Sequence, residues 1–215
     1  MANSQPDLVS IFQAVSGALA QNKNTLNEAD TFNHDHGTNM VKVFNTITKA
    51  VGEKQGADTA SQLKYAGETL LKGKHSGSAD LYGKGLLDAA QQFQGKQLTP
   101  DNGLALVQAL LGAQQQPAQP QQQQQPAAGG MLGSLLTGLA GGGGSSGGLS
   151  DGLDAGDLLN AGMAFMQAKQ KGGSNMDALI QAVVSASMAG QTAHRAQSGT
   201  LVASTLLQAL GMGKK

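Results

Sequence analysis

The 215-residue chain is 40% hydrophobic, enough for a packed core, but only 3% aromatic and without Trp, so its core must be built from Leu, Ala, Val, Ile and Met, which favours close-packed helices over a sheet sandwich. Lys plus Arg and Asp plus Glu number 14 each, which excludes a whole-molecule field for nucleic acid or anionic lipid and leaves any anion binding local. The lack of cysteine excludes disulfides, thiolate metal sites and cysteine nucleophiles; with no basic leader and no apolar run near the ~18 residues of a membrane span, a cytoplasmic protein is expected, with neither nucleic acid nor membrane as partner.

In chain order, Leu8, Ile11, Phe12, Val15 and Leu19 recur at helical spacing and predict a first helix over about 6–22, with Ser4 or Pro6 suited to its start. A second begins after Gly37, where Met40, Phe44, Ile47 and Val51 form one stripe and Gly52 offers a stop. A third covers about 57–71 with Leu63, Ala66 and Leu70 inward, and a fourth carries Leu81, Leu86, Leu87, Ala90 and Phe93. Thr99-Pro100-Asp101 reads as the start of a fifth helix bearing Leu104, Val107, Leu110 and Leu111.

Composition then turns abruptly to Gln and Pro, which cannot bury enough apolar surface to offset ordering entropy, and many of the 31 glycines concentrate over 129–156. Residues 114–150 are therefore expected to be a flexible low-complexity insertion, with one apolar patch over 131–139. Helical pattern resumes at Leu158, Leu159, Met163 and Met166, again at Leu179, Ile180, Val183 and Val184 after the capping candidate Ser174, and finally at Leu201, Val202, Thr205, Leu206 and Leu210. The expected fold is all-α, an antiparallel helical bundle or barrel of about eight helices, in which residues 1–113 and 151–215 complete one domain around the insertion.

Chemistry-bearing residues cluster in Leu26-Asn-Glu28-Ala-Asp30-Thr-Phe-Asn33-His34-Asp35-His36-Gly37-Thr38-Asn39-Met40, just before the second stripe. A second cluster, Gly73-Lys-His75-Ser76-Gly77-Ser78-Ala-Asp80-Leu-Tyr82-Gly83, puts a glycine and serine turn at a helix start, where unpaired N–H groups and a hydroxyl can hold a phosphate. By itself such a turn also marks ordinary helix starts. His34 and His36 flank Asp35 and could touch zinc or copper, but a closed zinc site needs further ligands and no Cys exists to provide them. No Walker loop, Gly-x-Ser-x-Gly elbow or His-Glu-x-x-His helix occurs.

The first cluster resembles the nucleotide-binding loop of the dihydroxyacetone kinase L-subunit family, which reads Leu-Asp, four residues, Asp-Gly-Asp-His-Gly, any residue, Asn-Met; the ending Asp35 to Met40 matches without a gap. The second is similar to the family's Gly-Gly-Ala-Ser-Gly-Pro-Leu-Tyr-Gly with two extra residues, and His194-Arg-Ala-Gln-Ser198-Gly199-Thr200 is a fainter match to His, any residue, Asp-Pro-Gly-Ala-Thr-Ser. The resemblance implies an ADP/ATP and Mg2+ site in which Glu28, Asn33 and Asp35 stand at the three metal-holding carboxylates. His36, Gly37, Thr38 and Asn39 would shape the first loop, Ser76, Gly77 and Ser78 would contact phosphates, and Gly199 and Thr200 would close the far side. It further implies a kinase-like phosphotransferase whose small hydroxylated substrate is held by a partner subunit. Two departures bear on this: Asn33 removes one unit of negative charge, which Asp30 in the same stretch could partly compensate, and the family's basic Lys-Gly-Arg-Ala-Ser-Tyr-Leu-Gly loop has no counterpart. The competing reading is a catalytically degenerate scaffold for binding or assembly as a homo-oligomer.

Overall fold

A computed structural model describes residues 7–73, 76–112 and 175–212. The expected insertion over 114–150, its apolar patch, the pattern at 158–166 and the cap at Ser174 lie outside them. The described residues form eight α-helices and two 3-10 turns, with no strand among them: α1 (Leu8–Gln21), α2 (Lys23–Ala29), α3 (His36–Glu53), α4 (Thr59–Lys72), α5 (Gly77–Gln92), α6 (Gly103–Leu110), α7 (Asn175–Ser185) and α8 (Ala193–Ala209).

The stripes become the core. Leu8, Ile11, Phe12, Val15 and Leu19 of α1 are buried, as are Met40, Phe44, Ile47 and Val51 of α3 and Leu63, Ala66 and Leu70 of α4. Ile180, Val183, Val184, Val202, Leu206 and Leu210 join the same apolar cluster, so α7 and α8 share one core with the helices of the first half. Helix α8 packs against α1, α6 and α7. At the centre Phe44 meets Phe12 at 6.4 Å and the Tyr82 ring edge-on at 4.9 Å, so three of the seven Phe and Tyr residues form one contact line.

Which ends meet fixes the direction of each helix. A cavity of about 510 Å³ is lined by Asp7 and Leu8 before and at the start of α1, by Ala57, Asp58, Thr59 and Gln62 at the start of α4, and by Gly95, Lys96, Gln97 and Leu98 after α5. Helices α1 and α4 therefore begin where α3 and α5 end, which is the antiparallel arrangement. Helix α3 has 18 residues and spans about 27 Å, so the cavity lies a helix length from the His36 end. Close helix approach depends on glycine at a few points: a Cβ at Gly67 would lie 2.8 Å from the Gly83 carbonyl across the α4–α5 contact, and one at Gly85 would lie 2.5 Å from the Ala109 carbonyl on α6.

Local signals differ from the sequence reading in three places. The cap of α1 is Asp7, whose carboxylate accepts from the N–H groups of Val9 and Ser10. Thr99-Pro100-Asp101 starts a 3-10 turn, Pro100–Asn102, and α6 follows only at Gly103; Asn102 Oδ1 accepts from the Thr99 N–H at 2.8 Å and fixes the turn. Residues expected as loop before α3 contain α2, which places Glu28 on a helix. That helix buries only Leu26, so it carries no periodic stripe to read.

Candidate functional site

The end of the bundle where α3, α5 and α8 begin gathers most of the polar side chains that the sequence singles out. Between α2 and α3 the chain turns over residues 30–35. Asp30 is buried, and its Oδ1 accepts from the Phe32 N–H at 3.1 Å. That hydrogen bond, above all, holds its carboxyl below the usual value; burial opposes it, while the His194 charge and the N–H groups of Asn33 and His36 reinforce it. Asn27 of α2 does the complementary work: its Oδ1 accepts from the Thr38 N–H at 3.0 Å and its Nδ2 donates to Thr38 Oγ1 at 3.1 Å. Two of the first N–H groups of α3, those of His36 and Thr38, are thus met by side chains.

Gly37 has a packing reason. A Cβ there would collide with the Lys23 carbonyl and lie 3.0 Å from Asn27 Oδ1 and Leu26 Cβ, so only glycine lets α2 lie against the start of α3. Asp35 is half-buried and its Oδ1 accepts from Asn39 Nδ2 at 2.7 Å, which ties two residues of the family-like ending together. Asn33 Oδ1 faces the Asp35 N–H at 3.4 Å, and Glu28 is exposed on α2. Among the described residues no group of three or more His, Asp or Glu side chains is placed to hold a metal ion.

His34, which has no role in the sequence reading, has a backbone one. Its φ is 54°, the only positive value at a non-glycine among the described residues, and it stands where the L-subunit pattern reads glycine. A side chain in this left-handed region costs about 1 kcal/mol. Replacement His34→Gly is expected to raise stability by about 0.5–1 kcal/mol, while His34→Ala, which keeps the Cβ, should not. Urea denaturation of both variants checks this, and equal behaviour of the two would assign the effect to the imidazole instead.

His36 opens α3 and is buried at 6% exposure. Its Nε2 lies 2.9 Å from Ser198 Oγ on α8, and the Ser198 hydroxyl donates to the Arg195 carbonyl at 3.0 Å. Since that hydroxyl has a single proton, Nε2 carries the hydrogen and donates, leaving Nδ1 with its lone pair. The His36 ring meets the His194 ring edge-on at 4.7 Å. Burial first, then the nearby His194 and Arg195 charges, push the His36 pKa down to about 4, against the pull of Asp30 and Asp35.

The start of α5 completes the arrangement. Ser76 caps the helix by position without a side-chain hydrogen bond, and its carbonyl accepts from the Ala79 and Asp80 N–H groups at 2.8 and 3.3 Å. A Cβ at Gly77 would lie 3.0 Å from Arg195 Nη2, so the guanidinium rests directly over the first residue of α5. Thr200 is half-buried, and Gly199 faces inward, with its Cβ position 3.1 Å from Ala189 Cβ and 3.4 Å from Leu111 Cδ2, in the packing of α8 on the bundle.

His36, Ser198, His194, Arg195 and Gly77 therefore come together from segments as much as 162 positions apart. Residues 34–135 match the family model described as the DAK2 domain. The match covers somewhat less than half of the chain and supports the resemblance to the L-subunit family; it includes the starts of α3 and α5 and stops short of α8. No curated protein and no solved structure matches the chain. Arg195 was the residue sequence reasoning passed over. The available signal is that it is the single arginine of the chain, one position after His194 and three before Ser198, and so on the side of α8 that faces this end of the bundle.

Among the described residues no helix is long and apolar enough to cross a membrane.

Proposed function

We propose that this end of the bundle binds a nucleotide through its phosphates, as a domain similar to the L-subunit of dihydroxyacetone kinase. The observation that carries the reading is the convergence of the three motif-bearing helix starts: His36 of α3 is hydrogen-bonded to Ser198 of α8, and Arg195 of α8 lies over Gly77 of α5. Helix N-termini carry partial positive charge, and their orphan N–H groups accept anionic oxygens. Two of the first N–H groups of α3, those of His36 and Thr38, are taken by Asp30 and Asn27, so the phosphates would be received by Ser76, Gly77 and Ser78.

The donor set does not fit the magnesium site that the resemblance implies. Asp30 is turned to backbone N–H groups, one oxygen of Asp35 is held by Asn39, Asn33 is neutral and Glu28 is exposed on α2. Magnesium wants several hard oxygen ligands in an octahedron, and carboxylates offset its charge. These residues support binding of a nucleotide rather than phosphoryl transfer. Calorimetry with ADP, with and without magnesium, tests it: binding at sub-millimolar concentration that exceeds binding of inorganic phosphate is expected, and absence of ADP binding at millimolar concentration would end it. A companion result is expected from Asn33→Asp, whose melting temperature should respond to magnesium no more than the wild type does.

A second reading, a scaffold acting in binding or self-assembly, is favoured by Phe32, which is 93% exposed on the α2–α3 turn beside the site, and by Met188, 51% exposed just before α8. Light scattering with and without ADP distinguishes the two, since only self-assembly changes the mass without nucleotide.

A further inference from the structure

We infer that Arg195, with the start of α5 and the Ser78 hydroxyl, forms a phosphate-anion site that works without a metal ion, the guanidinium standing in for the cation. The inference rests on the nucleotide reading for its biological ligand but not for its chemistry. Three separate observations carry it. Arg195 is half-buried, and among the described residues its guanidinium makes no hydrogen bond or ion pair. It is held with Nη2 3.0 Å from the Cβ position of Gly77, over a helix start whose first N–H groups are unclaimed by the Ser76 side chain. Ser78, at 6% exposure in the first turn of α5, has no hydrogen-bond partner among the described residues, and the Cβ bond of a helical residue tilts toward the helix N-terminus.

Electrostatics decides what belongs there. A guanidinium placed against the positive end of a 16-residue helix is a repulsive pairing, and partial burial reduces the screening that would relieve it. Among the described residues no carboxylate forms an ion pair with it: Asp80 in the first turn of α5 is exposed, Asp30 accepts from the Phe32 N–H, and Asp35 from Asn39. An anion between the two positive elements turns repulsion into attraction on both sides. The planar fork of arginine matches two phosphate oxygens, backbone N–H groups and a hydroxyl match a third, and the result is a complete acceptor for a terminal phosphate. The guanidinium supplies the positive charge that a divalent ion would bring, and among the described residues no group of three carboxylates or imidazoles is placed to hold one.

The test uses the full chain and inorganic phosphate, then ADP, each titrated calorimetrically in EDTA and in excess magnesium. Phosphate binding in EDTA that magnesium does not tighten is expected. Arg195→Gln should weaken it roughly tenfold or more, Arg195→Lys should fall between, and Ser78→Ala should weaken it severalfold. Lys84→Gln removes one positive charge from the exposed face of α5 and serves as the control; it should bind as the wild type does. Circular dichroism melts show that each variant is folded before it is titrated. Binding that vanishes in EDTA, no phosphate binding at millimolar concentration, or an equal loss in Arg195→Gln and Lys84→Gln would each overturn the inference. The nucleotide reading fails separately: ADP binding no tighter than phosphate would refute it and leave Arg195 standing, whereas ADP binding unaffected by Arg195→Gln would do the reverse.

Discussion

Gly85→Ala is expected to destabilise the protein by about 3 kcal/mol, roughly a 10 °C fall in melting temperature for a chain of this size. The added methyl would lie 2.5 Å from the Ala109 carbonyl, 2.7 Å from Leu110 Cα and 2.8 Å from the Leu110 carbonyl. All three are backbone atoms of α6 and the residue pair that ends it, so no rotamer change relieves the contact and the two helices must separate. Separation would open the packing around Leu106, Val107 and Leu110, which are buried at the same junction. Gly17→Ala is the contrast: nothing lies within 4 Å of its Cβ position in the middle of α1, so the substitution should stabilise by about 0.5–1 kcal/mol through the better helix propensity of alanine. Thermal and urea denaturation of the pair check both signs. If Gly85→Ala melts with the wild type, α5 and α6 are not in backbone contact.

The contrast also explains what the sequence can and cannot announce. Apolar spacing of three and four is a property of single helices, and it identified α1, α3 and α4 down to the residues that are buried. Helix-on-helix glycines carry no such mark: Gly17 and Gly85 look alike in a chain with 31 glycines, yet one faces open space and the other a carbonyl. Helix α2 stayed hidden because seven residues with one buried leucine hold no period. The site was legible in its motifs and not in its connections. His36 was readable as part of an Asp-His-Gly ending, but the partner that fixes its tautomer, Ser198, is 162 positions away and came only with a faint match. Asp30 seemed a spare carboxylate for a metal; folding turns it onto N–H groups at the α2–α3 turn, a role set by a local backbone path that no spacing rule reveals. Arg195 was silent because a cation is judged by what faces it, and Gly77 faces it only in the folded chain.

Acid should weaken the protein before its carboxylates titrate. The His36 pKa stands at about 4 in the fold against 6.5 for an ordinary imidazole, with burial as the main cause. A group that is harder to protonate when folded leaves the unfolded chain holding more protons, so its contribution is fully present above about pH 6.5 and is lost as pH falls toward 4. Over that window the loss amounts to about 3 kcal/mol. Protonation also adds a positive charge beside His194 and Arg195, which is the physical content of the loss. Asp30 acts in a separate, lower window, because its depressed carboxyl protonates in the fold only below its ordinary value of 3.8. Urea denaturation at pH 7.5, 6.5, 5.5 and 4.5 should therefore show stability flat at first and then falling with a slope approaching one proton. His36→Gln keeps an N–H donor for Ser198 and removes the titration: it should be less stable at pH 7.5 and show no decline between 6.5 and 4.5. An equal slope in wild type and His36→Gln would place the proton elsewhere, and a resonance assigned to His36 by its loss in His36→Gln that titrates near 6.5 in the folded protein would show that this ring is open to water.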